Sequence, residues 1–127
     1  MIDIGTGIRC FNEGDFFEAH EAWEREWRNA PDSPERHFLQ GMIMIAAALH
    51  HHRKGEYPGA LRLLGRGLEI LTQYREADVE IEKEDFIRAA AALYERCKES
   101  CRELSREDFP RIRQARQSPR EVHTDER

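Results

Sequence analysis

The longest apolar stretch of the chain, residues 38–52, predicts a buried central helix. At about 100° per residue its apolar side chains cover nearly the whole circumference of a helix, which is typical of a helix packed among others. The exception is a narrow strip that holds Gln40, Met44, Ala47 and His51. We therefore expect this helix to organise the fold and its polar strip to mark a candidate site.

The helical spacing of apolar residues also predicts four flanking helices. They span residues 3–13, 16–28, 57–74 and 84–104, and residues 75–83 form a charged loop. Gly14 and Gly55 are placed as stops at the ends of helices. Gly65 and Gly67 weaken the helix that contains them, so we expect a neighbouring helix to approach closely there.

Two helix starts carry capping signals. Asp15, with Glu18 three residues later, has the pattern of a capping box at the second helix. Ser33 is a suitable N-cap for the central helix, and Pro34 suits the first helical position.

A short phrase recurs after 41 residues, where residues 14–19 match residues 55–60. Each copy has a glycine, an acidic residue and an aromatic residue, followed by a helix. The phrase resembles the turn of a tetratricopeptide repeat, whose usual period is about 34 residues. We therefore predict an all-α, four- to five-helix up-down bundle, built from two tetratricopeptide-like helical hairpins plus a C-terminal helix.

The domain prediction is a single helical domain at residues 1–104 and a mobile charged tail at residues 105–127. The tail is rich in arginine and acidic residues and has few apolar residues, and this composition is typical of a segment that does not fold alone. Its sizeable apolar anchors are Phe109, Ile112 and Val122.

Composition excludes several function classes. The net charge of −5 argues against general nucleic-acid binding and against anionic membranes. Charged residues flank the central apolar stretch, so it is shorter than the roughly 18 residues of a membrane span. The first residues lack the pattern of a secretion signal. Three cysteines, an odd number, favour the reducing cytoplasm, and Cys97 and Cys101 are interpreted as small core residues.

The second helix has polar side chains that are expected to face the polar strip of the central helix. His20 and Glu24 lie one turn apart on it, and Glu21 lies beside them. Antiparallel packing would bring His20 towards His51 at the end of the central helix. Two imidazoles and a carboxylate are ordinary ligands for zinc, iron or manganese.

Three interpretations of this His/Glu cluster stay open at this point. The groups can form a buried hydrogen-bonded cluster that fixes helix packing. They can hold a divalent metal, with Glu21 as general base and Gln40 as an orienting group. They can also support chemistry without a metal.

Two motifs resemble those of a known family. The first is FNxG at residues 11–14 followed by FEAHExWExxW at 17–27, and the second is FLQGxI at residues 38–43, followed by Ala46, Ala47, His51, Gly55, Gly59 and Ala60. Together they resemble domain-of-unknown-function family 309, which comprises small all-helical proteins, some labelled predicted metal-dependent hydrolase.

The resemblance implies that the candidate residues occupy the characteristic polar positions of that family: His20, Glu21, Glu24, Gln40 and His51. The family often has a second glutamine where this chain has Met44, and this departure weakens the enzyme hypothesis.

Two functional hypotheses follow. The first is a metal-binding site with hydrolase activity on an unknown small molecule, with His20, Glu24 and His51 as ligands and Glu21 as base. The second is a non-enzymatic helical interaction module or homo-oligomer, in which the cluster is structural and the partner is a protein.

Overall fold

The computed structural model of this chain describes residues 2–100 and 104–115. This part contains five α-helices and a 3-10 turn at Arg106–Asp108, with no β-strand. The helices are α1 (Gly5–Asn12), α2 (Phe16–Asn29), α3 (Pro34–Arg53), α4 (Tyr57–Gln73) and α5 (Lys83–Ser100). The all-α prediction is confirmed, because five helices form where the apolar spacing placed them.

The central helix α3 is the buried rod that its sequence predicts. Its start has the expected cap, since Ser33 Oγ accepts a hydrogen bond of 3.2 Å from the Arg36 backbone N–H, and Pro34 is the first helical residue. Nine of its residues are buried: Phe38, Leu39, Gly41, Met42, Ile43, Ile45, Ala46, Ala48 and Leu49. Removing this apolar surface from water is the main contribution of α3 to stability.

Helices α3 and α4 cross at a pair of glycines. A Cβ atom at Gly41 would lie 3.2 Å from the carbonyl oxygen of Gly67, and one at Gly67 would lie 3.1 Å from that of Gly41. The two backbones therefore touch, which explains glycine inside both helices. Gly65 faces the ring of Tyr94 on α5, so the close approach expected at both α4 glycines is present.

Helix α1 packs on α2 through Trp23. The Trp23 indole N–H donates a 3.1 Å hydrogen bond to the Ile4 carbonyl, and its ring fills the space that a side chain at Gly7 would need. The capping box predicted at the start of α2 is wrong, because the Asp15 side chain makes no capping hydrogen bond.

The chain returns to the body after α5. Asn12 Nδ2 donates to the Ile112 carbonyl at 2.8 Å, and the Ile112 backbone N–H donates to Asn12 Oδ1 at 2.9 Å. Ile112 is buried, and an isolated antiparallel bridge joins Ile81 to Gln114. Residues 104–115 therefore pack on the body, and they include Phe109 and Ile112, two of the apolar anchors of the predicted tail. The rest of that predicted tail, with Val122, lies outside the described residues.

Two of the cysteines lie in the described residues. Cys10 is a free thiol that is partly buried, and Cys97 is a buried residue of α5, as predicted. Cys101 lies outside the described residues. Over the described ranges, no helix combines the length and the apolarity that a membrane crossing requires.

Candidate functional site

The repeated phrase folds into two equivalent turns. Gly14 and Gly55 both adopt a left-handed backbone, with φ of +86° and +80°. In each turn the acidic residue after the glycine donates its backbone N–H to a carbonyl five residues back: Asp15 to Cys10 at 2.8 Å and Glu56 to His51 at 2.9 Å. This is the Schellman pattern, so the internal repeat is structural.

Arg53 joins the two turns. Its Nη1 donates a 2.6 Å hydrogen bond to the Gly14 carbonyl, and its guanidinium lies 4.9 Å from the centroid of the Phe16 ring. The end of α3 is thereby held against the start of α2. The histidines at the end of α3 and His20 consequently share one end of the bundle.

His20 lies close to two carboxylates of its own helix. Its Nε2 lies 3.4 Å from Glu24 Oε1, and its Nδ1 lies 3.4 Å from Glu21 Oε2 without forming a hydrogen bond. The side chains of His20 and Glu24 are 25% and 28% exposed. The expectation of a buried His/Glu cluster is wrong, because no polar or charged residue is buried in the described part of the chain.

His51 is paired with the start of α4. Its Nδ1 lies 2.5 Å from Glu56 Oε1, and its side chain is 37% exposed. The hydrogen bond with His51 is the main reason that the pKa of the Glu56 carboxyl lies below its usual value. The structure thus brings His20 and Glu24 together and places His51 against Glu56.

His50 is the imidazole of α3 that approaches α2. Its ring centroid lies 5.2 Å from that of Phe17, and the Phe17 ring lies 6.4 Å from that of His20 at an interplanar angle of 15°. Burial, and then the nearby charge of Lys54, lowers the pKa of His50. We call these three rings, of Phe17, His20 and His50, the Phe17 surface.

The strip on α3 follows the solvent boundary of that helix. Gln40, Met44, Ala47 and His51 are all partly buried, between neighbours that are mostly buried. Met44 Cβ lies 3.1 Å from the position that a Cβ on Gly67 would occupy. Met44, at the edge of the strip, therefore contributes to the helix crossing.

The described residues contain no group of three or more His, Cys, Asp or Glu side chains that could hold a metal ion. A depression of about 730 Å³ lies between α4 and α5 at Gly65 and Tyr94, and another of about 300 Å³ lies beside Phe16 and Arg53. Neither depression is lined by a predicted site residue.

Sequence reasoning missed Phe17, His50 and Glu56. Phe17 had a usable signal, since it lies off the apolar stripe of α2 and so points outwards. Glu56 also had a signal in the sequence, because the repeated phrase aligns it with Asp15, and the two residues occupy the same position in their turns. Among three consecutive histidines, a pattern alone did not decide which one faces α2.

A family model described as "Domain of unknown function (DUF309)" matches residues 4–63. The "Uncharacterized protein YpuF" of Bacillus subtilis (strain 168) is 39% identical over 57 residues, which are 45% of this chain and 33% of that protein. This chain therefore covers about one third of the length of that curated relative. The family resemblance seen in the motifs is confirmed, and neither description states an activity.

Proposed function

We propose that this chain, which resembles the DUF309 family over residues 4–63, is a non-enzymatic helical interaction module that docks through the outer side of α2. One observation carries the proposal. Phe17 is the one large hydrophobic residue that is exposed in the described part of the chain, at 48%, and it lies between the rings of His20 and His50.

The Phe17 surface suits docking because it is apolar at its centre and rigidly mounted. Phe17 belongs to the first turn of α2, which the Schellman turn and Arg53 fix to the end of α3. Its ring and the two imidazoles are already in contact, so little side-chain entropy remains to be lost on binding. Aromatic rings mounted in this way are typical anchors of protein interfaces.

The occupant that this surface fits is an α-helix of a partner protein. Phe17 and His20 lie three residues apart on α2, so they belong to one ridge of that helix, and such ridges pack into the groove of a second helix. Acidic and basic side chains flank Phe17 along α2, and they supply the charged rim that surrounds an apolar anchor.

Site-specific photocrosslinking tests this proposal. The crosslinker p-benzoylphenylalanine at position 17 is compared in cells with the same group at position 99, an exposed residue of α5. We expect a discrete adduct at position 17 only, and peptide mapping should place the crosslinked partner residue in a helix. The same adducts at both positions, or no adduct at position 17, would overturn the proposal.

A second candidate is a divalent-metal site with hydrolase activity. Its support is the approach of His20 Nε2 to Glu24 Oε1 at 3.4 Å, at the same end of the bundle as His51. In this hypothesis His20, Glu24 and His51 bind zinc, iron or manganese, Glu21 is the base, Gln40 orients the substrate, and His51 must leave Glu56. Elemental mass spectrometry of tag-free protein tests it, and a metal content far below one ion per chain would contradict it.

A further inference from the structure

The outer side of α2 has a regular charge pattern. Glu18, Glu21, Arg25 and Arg28 fall within about 80° of the helix circumference, so they form one face. This face, which we call the charged face of α2, is opposite to Ala19 and Trp23, which are buried in the core. Along the helix its order is acid, acid, base, base.

The charged face is open to a partner. Glu18, Arg25 and Arg28 are exposed, and the Glu21 side chain is 45% exposed. Over the described part of the chain, neither the Glu18 carboxylate nor the Arg25 guanidinium forms an ion pair. Among the described residues, Glu21 has only the 3.4 Å contact with His20, and Arg28 only a 3.8 Å contact with Glu24.

An acid-acid-base-base order is complementary to itself when it is reversed. If a second α2 lies antiparallel across a twofold axis near residue 23, Glu18 faces Arg28 of the second copy and Glu21 faces its Arg25. Symmetry repeats both pairs, as in any isologous dimer. A parallel arrangement would instead place like charges together, which is unfavourable.

Phe17 would also contact the second copy in this antiparallel arrangement. It lies beside Glu21 on the helix circumference, near the start of α2, so the antiparallel partner presents its last turn there. That turn carries the Arg28 guanidinium, which can lie over an aromatic ring. Each end of the helix pair would then have one Phe17 contact.

We infer that the partner of this surface is a second copy of the same chain, bound through antiparallel pairing of the two α2 helices. This inference rests on the proposed function and names its partner. A helix of 14 residues is about 21 Å long, so the buried area falls in the weak class of interfaces. The dimer therefore forms at high local concentration and weakens as salt screens the charged pairs.

Sedimentation velocity with two charge-reversed variants tests the inference. Variant A carries Glu18→Arg and Glu21→Arg, and variant B carries Arg25→Glu and Arg28→Glu. We expect the wild type to dimerise and each variant alone to dimerise with an affinity at least about tenfold lower. An equimolar mixture of A and B should recover the affinity, because acidic residues again face basic residues. Recovery in the mixture is a result that misfolding cannot produce.

The matched control carries Glu95→Arg and Glu99→Arg, which make the same charge change on the exposed side of α5. It should leave dimerisation unchanged. If circular dichroism shows that either double variant is unfolded, the single variants Glu21→Arg and Arg25→Glu replace it in the same mixing design.

Two results would overturn the inference: a wild type that stays monomeric up to about 1 mM, which excludes even a weak dimer, or a dimer that variants A and B do not weaken. The photocrosslink at position 17 distinguishes failure of the dimer inference from failure of the proposed docking function. An adduct with a different protein would keep the docking surface and exclude the second copy.

Discussion

The Nδ1 atom of His51 lies 2.5 Å from Oε1 of Glu56, across the turn that joins α3 to α4. The same turn is closed by the hydrogen bond from the Glu56 backbone N–H to the His51 carbonyl. The backbone and the side chain of Glu56 thus both bind His51. This double contact turns His51 towards α4 and leaves His50 as the imidazole that meets α2.

The first prediction concerns the stability of this turn. The hydrogen bond with His51 lowers the pKa of Glu56 in the folded chain, so the pair stabilises the fold above the unfolded pKa of about 4.3. That contribution is lost as the pH falls through the lower, folded pKa. Glu56→Gln should therefore reduce the free energy of unfolding in urea near pH 7, and the difference from wild type should disappear at a pH below the folded pKa of Glu56.

Glu69→Gln is the matched control, because Glu69 is an exposed residue of α4, the helix that follows Glu56, and forms no ion pair in the described part of the chain. It should change stability little at either pH. A Glu56→Gln variant as stable as wild type near pH 7 would show that the His51 contact contributes nothing.

The second prediction concerns His50. Burial lowers its pKa, and the charges of Lys54, His51 and Arg53 act in the same direction. The unfolded chain therefore binds more protons than the folded chain just below the ordinary value of about 6.5, so this residue reduces stability as the pH falls through that value. Its ring protons should titrate below about 6.5 by nuclear magnetic resonance, and Phe17→Ala should raise the midpoint by exposing the ring to water. A midpoint at or above the ordinary value would contradict this account.

The third prediction concerns the glycine crossing. A Cβ at Gly67 would lie 3.0 Å from Ile45 Cδ1 and 3.1 Å from the Gly41 carbonyl oxygen, so α3 and α4 would have to separate. Gly67→Ala should cost about 1–3 kcal/mol in urea unfolding, despite the better helix propensity of alanine. Gly65→Ala is the control, since the nearest atom to its Cβ is Tyr94 Cε1 at 3.2 Å, in a side chain that can move. Equal effects of the two substitutions would argue against backbone contact at Gly67.

The fourth prediction concerns the segment after α5. Asn12→Ala removes both hydrogen bonds to Ile112 and leaves two backbone groups without their partner, which should cost about 1–3 kcal/mol. Hydrogen exchange of the Ile112 amide should become faster while that of α3 does not change. Asn29→Ala is the control, because Asn29 Nδ2 donates to the Arg25 carbonyl within α2 and so makes no contact with the segment 104–115 in the described structure. Unchanged exchange at Ile112 would show that Asn12 does not hold the segment.

Local features of the fold could be predicted from the sequence, because they depend on neighbouring residues. Apolar spacing located all five helices. Gly14 and Gly55 indicated turns that need a residue with a left-handed backbone conformation, which glycine adopts without strain. Gly67 indicated a close helix approach before the partner helix was known. The repeated phrase likewise predicted two equivalent turns.

Contacts between distant residues could not be predicted in the same way. The hydrogen bonds between Asn12 and Ile112 join positions 100 residues apart, and the apolar character that marked Ile112 as an anchor does not indicate which residue binds it. Successive residues of a helix point in directions that differ by about 100°. An error in the predicted rotation of α3 about its axis therefore changes which histidine, His50 or His51, is predicted to face α2. The structure decides between them, because His51 contacts Glu56 and the ring of His50 contacts that of Phe17 on α2.

The most direct test of the proposed docking surface is a dilution series of the labelled wild-type chain, followed by amide chemical shifts from about 20 μM to about 1 mM, the range of a weak interface. We predict shifts that change with concentration at Phe17, Glu21 and Arg25 and stay constant at Glu95 and Glu99 on α5. Constant shifts at Phe17, Glu21 and Arg25, together with no adduct in the photocrosslink at position 17, would contradict the account.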